Sequence, residues 1–124
     1  MTRRIVVLGG PRTGKTTYAA TLGGRVRHTD DAMDLGWSEA SAEVARWMVQ
    51  DGPWVIEGVA GARALRKALA TSTERPCDRV VVLSDPWAEL TSGQRTMTKG
   101  CVAVFAEIRA ELLARGVEVE TRKR

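Results

Sequence analysis

The residues best suited to chemistry stand eight in a row, Gly9-Gly10-Pro11-Arg12-Thr13-Gly14-Lys15-Thr16. They match the phosphate-binding pattern G-x-x-x-x-G-K-[ST] at every fixed position. In such a loop successive backbone N–H groups wrap a β-phosphate, aided by the positive end of the helix that follows. The phosphate-lining residues are then Gly10, Pro11, Arg12, Thr13, Gly14, Lys15, Thr16 and Thr17. Lys15 reaches the β- and γ-phosphates, and the Thr16 hydroxyl is placed to ligate Mg²⁺. Glycine at 9 and 14 lets the backbone turn tightly against the phosphate without a Cβ in the way. The ligand this pattern takes is a nucleoside triphosphate.

Such a loop works only between a strand and a helix, and the flanking residues supply both. Residues 4–8 read as a buried strand, and residues 15–22 as a helix. A short second strand covers 25–28 and ends at Thr29-Asp30-Asp31. From Ser38 the apolar positions Ala40, Val44, Trp47 and Met48 recur at helical spacing, with Ser38 as N-cap and Glu39 in the first turn. Gly52-Pro53 stops that helix, and Trp54-Val55-Ile56 form a third strand closed by Glu57-Gly58. Residues 62–70 predict a short basic helix bearing Arg63, Arg66 and Lys67. A fourth strand covers 79–83, a long helix 102–115, and an edge strand 117–119. Trp47 and Trp54 are expected in the core.

Continuous apolar strands separated by helices call for a parallel sheet covered on both faces, an α/β fold. Ligands of such a sheet bind outside the carboxyl ends of its strands. The phosphate loop, Asp30 with Asp31, and Glu57 with Gly58 all fall at those ends.

The 124 residues suggest one domain over 1–120, with a frayed basic tail at 121–124. Hydrophobic residues make up 44% and charged residues 27%, which is ordinary globular composition and argues against disorder. No apolar run approaches ~18 residues, so no membrane span is expected. The first residues run into a strand without a cleavable signal pattern. Cys77 and Cys101 lack metal-type spacing and read as reduced thiols, pointing to the cytoplasm, or the host cytoplasm if the chain is viral. The net charge of +4 favours anionic partners.

In order, GGPRTGKT, His28-Thr29-Asp30-Asp31 and Trp54-Val55-Ile56-Glu57-Gly58 resemble the small P-loop kinases, a group that includes shikimate, gluconate, adenylate and polynucleotide kinases. The likeness spans nearly the whole chain. It implies a three-layer α/β/α P-loop NTPase fold whose five-stranded parallel sheet has the order 2-3-1-4-5. It also implies an ATP- and Mg²⁺-dependent phosphotransferase. Asp30 or Asp31, with Asp30 preferred, would orient and deprotonate the acceptor hydroxyl. Glu57 would hold the Mg²⁺ shell through water, and Gly58 would lie beside the acceptor. Arg95, in a connector over residues 91–100 with glycine near both ends, is the lid arginine expected to cover the phosphates, with Lys99 second. Arg63 could grip an anionic acceptor, Trp37 could stack on a base, and His28 is expected to bond beside the loop rather than act as a base.

The chain departs from small-molecule kinases of this group by its short acceptor segment and short lid. An open site suits an acceptor that brings its own bulk. The basic balance, the Arg63-Arg66-Lys67 helix and the basic tail point toward a nucleotide or nucleic acid. The compact size and aspartate pair are similar to what small phage kinases acting on 5-hydroxymethyluracil in DNA would need, an acceptor that implies base flipping. A small-metabolite or nucleoside kinase, and a non-kinase ATPase or switch module, are the other classes.

Overall fold

A computed structural model of the chain describes residues 3–86 and 88–123, so Trp87 and the terminal Arg124 lie outside the described residues. Five strands carry the architecture: β1 Arg4–Gly9, β2 Arg25–His28, β3 Trp54–Glu57, β4 Arg79–Leu83 and β5 Glu118–Arg122. All neighbours run parallel, in the order β2-β3-β1-β4-β5. The helices are α1 Lys15–Ala20, α2 Trp37–Met48, α3 Gly61–Thr71 and α4 Ser92–Ala114, and a 3-10 helix covers Thr29–Leu35.

Alternation along each strand splits the core in two. Val6, Leu8, Trp54, Ile56 and Val80 face α2, α3 and α4, where they pack on Val44, Met48, Leu65, Ile108 and Leu112. Ile5, Val7, Val55, Val81 and Leu83 face the other way, toward Ala19, Tyr18 and Leu22 of α1 and its end. The expected cover on both faces is therefore present but lopsided. Near β5 the α1 face carries charge instead: Arg3 pairs with Glu118 at 2.9 Å, Arg79 with Glu120 at 2.7 Å, and Glu120 with Arg122 at 3.3 Å. The Arg122 guanidinium also lies 5.0 Å from the centre of the Tyr18 ring. Long ionic side chains cover that flank in place of a second helix.

Trp47 and Trp54 are buried as expected, with indole N–H groups donating to Glu43 Oε1 at 3.2 Å and the Gln50 carbonyl at 2.9 Å. Four features depart from expectation. The 91–100 connector is not a loop but the first turns of α4. Thr91 accepts from the Gln94 N–H at 3.1 Å while the Gln94 side chain accepts from the Thr91 N–H at 2.9 Å, a reciprocal cap that starts the helix ten residues early. Ser38 is not the cap of α2, which begins at Trp37 from Gly36 without a side-chain cap bond. Asp30 and Asp31 follow β2 as expected, but they belong to a 3-10 helix that the sequence pattern does not predict. Thr121 and Arg122 are ladder residues of β5, opposite Val82 and Leu83, so this part of the tail is held in the sheet.

Candidate functional site

The carboxyl ends of β1, β2 and β3 meet at one edge because the register sets Val7 beside Glu57 and His28 beside Glu57. From β1 the chain passes through residues 10–14 into α1, the strand-loop-helix setting that the phosphate pattern requires. The loop is stapled from within. The Thr13 hydroxyl donates to the Gly10 carbonyl at 2.9 Å, and the Lys15 ammonium donates to the same oxygen at 2.8 Å. Arg12 adopts a φ of 62°, a left-handed conformation that costs a non-glycine residue about 1–2 kcal/mol. Strain of this kind gathers where backbone shape serves a ligand.

Lys15 has its pKa lowered by burial, a loss opposed by the charges of Glu57, Asp30 and Cys101. The ammonium is thus partly desolvated where the loop meets α1. The Thr16 hydroxyl donates to Glu57 Oε1 at 3.2 Å, so the two expected magnesium-side groups stand together. Glu57 is 3% exposed, and its Oε1 also lies 2.5 Å from His28 Nδ1. A carboxylate only accepts, so Nδ1 carries the proton. His28 thus positions Glu57, in line with its expected bonding role.

Of the two aspartates, Asp30 acts electrostatically on Lys15 and both are exposed, so the structure brings Asp30 toward the loop. Gly58 follows Glu57 with a φ of 139°, and a Cβ there would lie 1.9 Å from the Thr29 hydroxyl oxygen. That hydroxyl is buried and accepts from the Ala60 N–H at 3.4 Å. Any side chain at 58 would drive the Asp30 segment away from β3.

Arg63, on α3, lies with its guanidinium carbon 4.7 Å from the centre of the Trp37 ring, so these two acceptor candidates are in contact. Its neighbours Arg66 and Lys67 are engaged elsewhere: Arg66 pairs with Glu107 at 3.2 Å, and Lys67 donates to the Ser38 carbonyl at 2.9 Å. The basic face of α3 ties α2 and α4 together rather than standing as an unoccupied stripe. Arg95 is exposed in the first turn of α4 and donates to the Leu90 carbonyl at 2.8 Å, while Lys99 is exposed further along the helix. Both cations therefore stand on α4 rather than on a connecting loop.

The contact of α4 with the phosphate loop has no counterpart in the sequence reading. A Cβ on Gly10 would lie 2.2 Å from the Thr98 hydroxyl oxygen, so only glycine lets the helix approach this closely. Cys101, one turn on, has its thiol pKa raised by burial, partly countered by a backbone hydrogen bond from Gly9 and by Lys15 and Arg63. Beside this contact lies a mostly apolar cavity of about 350 Å³, walled by Gly10, Leu83, Pro86, Thr98, Phe105 and Thr121. It opens from the phosphate loop toward the β4–β5 side, opposite the Asp30–Glu57 side. The Thr91…Gln94 box is the signal in the sequence that would have revealed this part of α4. Neither a protein-family model nor a curated protein matches the chain. Among the described residues no helix is long and apolar enough to cross a membrane.

Proposed function

We propose that the chain is an ATP-dependent phosphotransferase of the small P-loop kinase type, moving the γ-phosphate to a hydroxyl of a nucleotide or nucleic acid. The observation that carries this reading is the joint placement of the Lys15 loop, the Thr16–Glu57 pair and Asp30 at the carboxyl edge of one parallel sheet. The residues fit the groups the reaction needs. Thr16 and Glu57 are hard oxygen donors, and Mg²⁺ is held by one or two such groups together with phosphate oxygens and water. Thr16 and Glu57 would hold Mg²⁺ on this side of the loop, where the ion would supply charge neutralisation to the transferring phosphates.

The chain's own residues do the rest. The loop amides and Lys15 hold the triphosphate and stabilise the charge that gathers on the β-phosphate oxygen as its bond to the γ-phosphorus breaks. Asp30 orients the acceptor hydroxyl and takes its proton as the oxygen bonds to that phosphorus. His28 keeps Glu57 in place beside Thr16. The cavity next to Gly10 is sized for a nucleobase and offers mainly apolar walls. The short acceptor segment and the positive balance favour a polymer, and 5-hydroxymethyluracil in phage DNA is the specific acceptor we favour. This work would take place in the cytoplasm, or the host cytoplasm for a phage protein.

Calorimetric titration with Mg²⁺ and adenine or guanine triphosphates tests the first half. Binding that disappears in Lys15→Ala is expected, and folded protein that evolves no heat overturns the reading. Labelled phosphate should then pass to hydroxymethylated DNA. Transfer only to free nucleosides or other small molecules would remove the polymer acceptor.

A further inference from the structure

We propose that Trp37, braced by Arg63, is a stacking platform for a flat heteroaromatic ring of the acceptor, and that it determines specificity for acceptors carrying a nucleobase. The proposal rests on the phosphotransferase reading of the same site and names what its acceptor side recognises.

Two of the large apolar residues left exposed, Leu35 and Trp37, flank Gly36 just after the Asp30 segment. Gly36 has φ 87° and ψ 162°, a backbone region essentially closed to other residues. That turn, with no side-chain cap for α2, sets the indole at the first helical position with 41% of the residue exposed. Trp47 and Trp54, by contrast, are 6% and 3% exposed. The core therefore does not account for Trp37.

Arg63 covers the ring at 4.7 Å, and the guanidinium is itself wedged against α4. A Cβ on Gly100 would lie 3.1 Å from Arg63 Nη2, so α4 carries a glycine where the brace passes. Arg63 and Lys15 both act on the Cys101 thiol, which places the brace in the neighbourhood of the phosphate loop. A pre-set, partly apolar π-surface beside an exposed leucine rewards a planar ring; a polyol would call for convergent hydrogen-bonding groups.

The test uses two probes that differ only in the ring: 5-hydroxymethyl-deoxyuridine monophosphate and deoxyribose 5-phosphate. Their effect on the Trp37 indole N–H resonance is followed by NMR, with the signal assigned through Trp37→Phe. Both probes are also run on Lys15→Ala, which separates capture by the phosphate loop. The nucleotide should shift the Trp37 resonance in both backgrounds, and the ringless sugar phosphate should not. In transfer assays Trp37→Ala should raise the acceptor KM by about 10- to 100-fold, with kcat and the Kd for Mg-ATP unchanged, while Trp37→Phe recovers most of the loss. Equal shifts from both probes, or an unchanged KM, would overturn the platform. So would a Trp37→Ala defect confined to kcat or ATP binding, which is the mark of a merely structural tie between α2 and α3. Ring-dependent shifts without any phosphate transfer would instead leave the platform standing and remove the kinase.

Discussion

Lys15 carries its charge where water is partly excluded, and the nearby Glu57, Asp30 and Cys101 only partly offset that loss. Its folded pKa lies below the ordinary 10.5, so between that lowered value and 10.5 the unfolded chain binds more protons than the folded one. Stability from this group therefore rises with pH through that window and is penalised at neutral pH. Lys15→Met should melt no lower than the parent at pH 7, and its advantage should shrink as the pH nears 10.5; a gap that widens with pH in thermal unfolding would contradict the burial. The aspartates separate by a different measurement. Asp30→Asn should cut phosphate transfer by ~10²-fold or more with ATP affinity unchanged, and Asp31→Asn should change it little. The reverse order would move the base to Asp31. Residue types at the loop, at Asp30 and at Glu57 were legible from the chain because each belongs to a local pattern. The His28–Glu57 and Arg63–Trp37 contacts were not, because each joins residues 26 or more positions apart whose meeting depends on register and helix rotation.

At the scale of elements, the bounds of β1 to β4 are legible to within a residue; the unbroken Val, Ile and Leu runs of β1 and β4 leave little choice, while β2 and β3 rest on their short apolar cores and the turn residues around them. The misreading of residues 91–100 has a physical cause. Gly93 and Gly100 weaken a helix by about 1 kcal/mol each relative to alanine, yet the capping box and the docking of Thr98 and Cys101 on the loop outweigh them. Thr91→Ala should therefore cost about 1 kcal/mol and speed amide exchange in the first turns of α4. Unchanged exchange there would mean that packing on Gly10, not the cap, holds the helix end. Trp37 shows the same lesson at a helix start. Ser38 has the better capping chemistry, but the Gly36 turn places the helix boundary two residues earlier.

Across the whole molecule the two sheet faces differ in how they are kept dry. The α2–α3–α4 side holds the larger cluster, and Cys77 sits there fully buried, its thiol pushed up to about 12 by desolvation. The folded thiol keeps its proton after the unfolded one has lost it near 9.0, so this group's contribution to stability falls as pH climbs above 9.0. Cys77 and Cys101 should both resist alkylation at pH 8 in the folded protein and react in denaturant; rapid labelling of the native state would show that the core admits solvent. The α1 side ends instead in the ionic ladder along β5, whose solvent-facing pairs add little to stability. The last strand is therefore an edge at which local opening of the sheet is expected. Thr121 of that strand is also a wall of the cavity beside Gly10. A guest lodged in the cavity would clamp the strand shut, and release of the guest would free it, coupling terminal breathing of the chain to occupancy.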